Sequence, residues 1–91
     1  MGTYVAERYL PGITTEQLLD AARRARRAAA EMTAAGTPVT YLRSTFLTGD
    51  QTCYCLFDGP SEQAVAQVND RAGIPYDRIV AVLHVASGDL A

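Results

Sequence analysis

Val39-Thr40-Tyr41-Leu42-Arg43-Ser44-Thr45-Phe46, then Thr48-Gly49-Asp50, then Gln51-Thr52-Cys53-Tyr54-Cys55-Leu56-Phe57, reads as a β-hairpin. Both arms are rich in β-branched and aromatic residues, and the turn carries the glycine and aspartate that short hairpin loops favour. Towards the N-terminus, Gly36 and Pro38 close a helix that the spacing predicts over 15–35. Thr14 is its N-cap, Gln17 the capping-box partner, and Ile13 and Leu18 the hydrophobic staple. Leu18, Ala22, Ala25, Ala29 and Met32 form its apolar stripe. Before it, the β-rich run Tyr4-Val5-Ala6-Glu7-Arg8-Tyr9-Leu10 stops at Pro11-Gly12. Towards the C-terminus, Asp58-Gly59-Pro60-Ser61 breaks the hairpin and starts a second helix with Ser61 as N-cap. Its buried side is Val65, Val68, Asn69 and Ala72, and Gly73 ends it. Pro75-Tyr76-Asp77 then turns into a last strand, Arg78 to Val85, followed by a tail over 86–91 expected to fray.

The hairpin therefore sits between two strand–helix units, which gives β-α-β-β-α-β. This is an α+β, ferredoxin-like arrangement filling 1–91 as one domain. Right-handed crossovers predict the strand order 4-1-3-2 with both helices on one face. The second sheet face then needs a cover. By analogy with other small folds of this kind, a second copy is expected to supply it and make a homodimer with a cavity between the sheets.

Composition narrows the function. A net charge of −2 argues against a nucleic-acid binder, which carries a basic surface. No apolar run approaches the ~18 residues of a membrane span, and no signal-like segment precedes the first strand, so a soluble cytoplasmic protein is expected. Four arginines, Arg23, Arg24, Arg26 and Arg27, lie on the polar side of the first helix, where Asp20 can pair with Arg23 and Arg24. No phosphate loop, nucleophile elbow or zinc spacing is present, and nothing implies a nucleotide or flavin. Cys53 and Cys55 alternate on one strand face with Cα atoms about 6.5–7 Å apart, at the outer limit for a mutual disulfide. Such thiols act either as small core residues or as ligands for a soft metal.

Strand alternation selects the residues of the uncovered face. On the first strand Glu7 and Tyr9 join it, opposite Tyr4, Ala6 and Arg8. On the second, Tyr41 and Arg43 are expected there, with Leu42, Ser44 and Phe46 under the helices. Tyr54 follows on the third, opposite the cysteines. On the last strand Arg78, Val80, Val82 and His84 face it, with Ile79, Ala81, Leu83 and Val85 beneath the helices. The candidate site is Glu7, Tyr9, Tyr41, Arg43, Tyr54 and His84. Glu7 and His84, on neighbouring strands, would hold a divalent metal or perform acid–base work. Arg43 would hold an anion, and the three tyrosines would line a ligand. The plainer alternative pairs Glu7 with Arg43 or Arg8 in an ion pair.

Four segments carry a family resemblance: Tyr4-Val5-Ala6-Glu7-Arg8, Tyr41-Leu42-Arg43-Ser44, Tyr54 through Ser61, and Arg71 through Ile79. Together they resemble a bacterial family of small ferredoxin-like proteins, some of them named nickel-binding or nickel-responsive. The resemblance implies the fold, a homodimer and, loosely, nickel. Many relatives carry a histidine in the second helix where this chain has Val68 or Asn69, which leaves Glu7, His84 and, less readily, Cys53 and Cys55 as ligands. The first functional reading is thus a homodimer holding a nickel-like divalent ion or a small ligand between its sheets. The alternative is a cofactor-free enzyme of oxygenase, isomerase or cyclase type that uses Glu7 or His84 as acid–base.

Overall fold

The computed structural model describes residues 1–91. Its elements follow the order β1 (Gly2–Tyr9), α1 (Thr15–Ala34), β2 (Thr40–Leu47), β3 (Thr52–Gly59), α2 (Glu62–Ala72) and β4 (Arg78–Val82), with a short 3₁₀ turn at Ser87–Asp89. All strand pairings are antiparallel and the sheet order is β2-β3-β1-β4, which is 4-1-3-2 read from the other edge. The ferredoxin-like arrangement read from the sequence is the one the chain adopts.

Helix boundaries follow from their caps. The Thr14 hydroxyl accepts from the Gln17 amide at 3.1 Å, and the Gln17 side chain accepts from the Thr14 amide at 3.0 Å. Two of the helix's orphan donors are thereby satisfied. Ser61 caps α2 through the Ala64 amide at 3.1 Å. The helix stops at Gly73, whose φ of 69° is left-handed backbone that a side chain would strain.

One face of the sheet carries both helices. Ala6 lies opposite Cys55 on one side and Ile79 on the other, so the three share a face. They join Cys53 and Phe57 in a single buried cluster with Ala25, Ala28, Ala29 and Met32 of α1 and Ala64, Val65 and Val68 of α2. The small alanines let α1 approach the sheet closely, while Phe57, fully buried, fills the centre. The opposite face has Val5 at its middle, between Leu56 and Val80 on the flanking strands.

Two expectations about strands need correction. The last strand ends at Val82, not Val85, because its one partner is β1, and Thr3 opposite Val82 is nearly the end of that strand. Leu83 and Val85, expected beneath the helices, are therefore exposed, Leu83 to 90%. In β2 the register shifts between Tyr41 and Arg43, leaving Leu42 as an extra residue. Tyr41 pairs with Phe57 and so turns towards the helices, while Leu42, expected there, is exposed. Simple alternation fails at that bulge alone, since Arg43, Ser44 and Phe46 keep their expected sides.

Candidate functional site

Glu7 stands on the uncovered face, in register with Tyr54 on β3 and Arg78 on β4. Its carboxylate accepts a 2.8 Å bond from Arg78 Nε, with the side chains 23% and 65% exposed respectively. That bond, with the carboxylate's charge, raises the Arg78 guanidinium pKa above its ordinary value. The ion pair expected for Glu7 thus exists within one chain, but with Arg78 and not with Arg43 or Arg8. Alternation puts Arg78 on the correct face; only the strand register, which the sequence leaves open, reveals it as the partner.

The other candidates are dispersed. Arg43 is opposite Leu56, and Leu56 is opposite Val5, so Arg43 is two strands from Glu7 and one pleat repeat away along the sheet. Tyr9 is 61% exposed at the end of β1, where its amide donates to the Asp77 carboxylate at 2.7 Å. Tyr41 belongs to the helix side: its ring meets Phe57 edge-on at 5.6 Å, and its hydroxyl lies 2.7 Å from Ser44 Oγ. Burial raises its phenol pKa. It is therefore packed away from the face where a shared ligand was expected to touch it.

His84 lies beyond the end of β4 and is exposed. Glu7 pairs with Arg78, so a continued ladder would bring His84 level with Met1, six residues from Glu7. At ~3.3 Å per residue this is about 20 Å, too far for one ion to bridge within a chain. Adjacent strands did not make adjacent residues, because the antiparallel register runs the other way. Nowhere in the chain do three or more His, Cys, Asp or Glu side chains converge as a metal-ligand set.

A polar cluster that the candidate list left out lies on the covered face. Arg8, 3% exposed, donates to the Pro75 carbonyl and to Asn69 Oδ1, both at 2.9 Å. Asn69 in turn donates to the Val65 carbonyl at 2.9 Å. The one imperfect member of the α2 apolar side was the available signal, since a buried asparagine calls for a buried partner. Cys53 and Cys55 are free thiols beside this cluster, their sulfurs 3.6 Å apart, with Ser44 Oγ 3.0 Å from Cys55.

A compact antiparallel sheet with two helices on one face and a polar-edged, uncovered second face defines a small ferredoxin-like protein. The family model for "Nickel responsive protein SCO4226-like" matches residues 4–82, and the chain belongs to that family. Among solved structures it is similar to SCO4226 from Streptomyces coelicolor A3(2), at 28% identity and a TM-score of 0.78, over 92% of this chain and 99% of that one. No curated protein matches.

Proposed function

We propose that the protein works as a homodimer that binds a nickel-like divalent ion, with the uncovered sheet faces of two copies turned towards each other. The observation that carries this reading is the face itself: Val5, Leu56 and Val80 form an apolar centre, and Glu7, Tyr54 and Arg78 form a polar edge beside it. Val5 and Leu56 expose little surface of their own, 8% and 7%, so a second sheet would gain mainly from Val80 and the rim, and the polar edge would then enclose a small site. Membership of a nickel-responsive family supports the choice of ion.

One chain does not assemble the ligands. Glu7 is engaged by Arg78, and the single imidazole lies beyond the end of β4, six residues along the chain from Arg78. A site using both Glu7 and His84 therefore needs two copies, and the carboxylate must exchange its arginine for the ion. Carboxylate and imidazole with water suit nickel. The acid–base alternative has less support, because the Glu7 carboxylate is already engaged by Arg78.

Native mass spectrometry of the untagged protein with and without nickel tests the reading. A dimer that takes up nickel stoichiometrically, and loses it in both Glu7→Ala and His84→Ala, is expected. A monomer, or nickel uptake unchanged in both variants, overturns it.

A further inference from the structure

The sequence places four arginines on the polar side of α1, and the structure sorts them. Asp20 takes Arg24 at 3.1 Å. Glu31 takes Arg71 at 3.0 Å, and Glu7 takes Arg78 at 2.8 Å. Arg23 and Arg26 are left with no carboxylate, in a chain whose net charge is −2. They stand one helical turn apart, where like charges repel. An anion held by both guanidinium groups would turn that repulsion into attraction.

The same two arginines line a cavity of about 210 Å³, together with Leu19 and Ala22 of α1 and Tyr41 of β2. The four helical positions are i, i+3, i+4 and i+7, so they form one stripe. That stripe looks onto β2, the strand at one edge of the sheet, against which α1 packs. Tyr41 reaches this side because the bulge at Leu42 turns it towards the helices. Phe57 meets its ring edge-on and Ser44 engages its hydroxyl, so the ring is held in place. Leu19 is 43% exposed, an apolar side chain left uncovered beside two cations. No acid lines this cavity. Glu16 and Asp20 belong to a separate groove of about 770 Å³ at the N-terminal end of the helix.

We propose that this cavity binds a small aromatic anion, a single ring bearing a carboxylate or a phosphate monoester. Its size fits: a closed cavity of about 150 Å³ accepts one benzene ring, and this one has room for the charged group as well. Its chemistry fits too. Guanidinium forks match both carboxylate and phosphate oxygens, and their flat faces stack on aromatic rings. Leu19 and Ala22 would cover the apolar edge of the ligand, and Tyr41 would offer it a ring partner. A polymeric anion is disfavoured, because nucleic acid demands a far larger basic surface than two arginines on an acidic chain. The cavity lies on the helix side of the sheet, so this ligand is independent of dimer formation and of nickel on the open face.

The test titrates the full chain with benzoate, phenyl phosphate, acetate and inorganic phosphate, and follows backbone amide shifts by NMR. Benzoate and phenyl phosphate are expected to move the signals of Leu19, Ala22, Arg23, Arg26 and Tyr41, with a Kd of about 0.1–1 mM for ligands of this size. Acetate and inorganic phosphate carry the charge without the ring and should bind at least roughly tenfold more weakly. Arg23→Gln and Arg26→Gln should each weaken benzoate binding by roughly threefold to fivefold. Arg27→Gln removes the same charge from the same helix outside the cavity and should leave binding unchanged. Equal weakening by Arg27→Gln, or equal affinity for benzoate and acetate, would reveal an unspecific attraction of anions and overturns the proposal. Shifts centred on Arg43 or Arg78 instead of Tyr41, or no shifts at all, overturn it as well.

Discussion

Glu7 and Arg8 are consecutive residues on one strand, and they meet opposite environments. Glu7 lies on the uncovered face and holds a largely exposed arginine. Arg8 points beneath the helices, where every polar contact is to a group fixed by another element. The covered face is dry and closely packed, and its charge is built into the fold. The open face carries its charge at an edge where a second molecule or an ion can reach it. One strand thus separates two tasks by the two-residue period of its side chains.

The difference predicts a ranking of mutational effects. Phe57 and Leu56 are adjacent on β3 but face opposite ways. Phe57→Ala should destabilise the chain by about 3–5 kcal/mol in urea titration, because it empties the centre of the covered face. Leu56→Ala also removes a buried side chain, 7% exposed but outside the covered cluster, so it should cost about 2–3 kcal/mol in the isolated chain and weaken the dimer besides. Equal losses from the two would break the distinction between the faces. Next in size is Asn69→Ala, which takes from Arg8 one of its two acceptors, at about 1.5–3 kcal/mol for a hydrogen bond to a charged group. Asn69→Asp would instead give Arg8 a carboxylate and should retain stability. If the two variants melt alike, the Arg8–Asn69 bond is not what holds the charge.

The thiol pair adds a pH dependence confined to the covered face. Cys55, lowered from 9.0 to about 6 chiefly by the hydrogen bond from Cys53, is ionised in the folded chain over a range where the unfolded chain still binds that proton. Stability should therefore rise with pH between about 6 and 9, by no more than about 1.4 kcal/mol per pH unit for one proton. A stabilising term of this kind is lost as pH falls through 6. Cys53 is shifted up, so above 9 the folded chain keeps a proton that the unfolded chain releases, and stability should fall again. Urea midpoints across this range should show the rise in wild type and lose it in Cys55→Ser. A profile unchanged in the variant would assign the titration elsewhere.

The two faces also differed in how legible they were. Element order, caps and the α1 stripe are local properties, and Thr14, Gln17, Ser61 and Gly73 perform the roles their residue types suggest. Sidedness was readable wherever alternation holds, as at Glu7, Arg43 and the cysteines. It failed at Tyr41, because a bulge leaves no mark in a run such as Tyr41-Leu42-Arg43. Contacts between strands were less readable still. Whether Glu7 meets Arg78 or His84 depends on register, and register is set by the whole sheet. Asn69 is an anomaly on an apolar side, but its partner Arg8 is 61 residues away.

The smallest effect expected in the single chain is the most informative for function. Glu7→Gln keeps the size of the side chain and removes its charge, on a face where Arg78 is mostly exposed to water. An exposed pair contributes little to folding, so the variant's urea midpoint at low protein concentration should match wild type. If two copies bring their open faces together, the same change leaves Arg78 without its carboxylate in a drier setting, and a dilution series should show a weaker dimer. Nickel separates the remaining roles: a carboxylate ligand lost to Gln abolishes uptake, whereas a purely structural ion pair leaves it intact. Equal dimer affinity and equal nickel uptake in Glu7→Gln would leave Glu7 with no task on the open face.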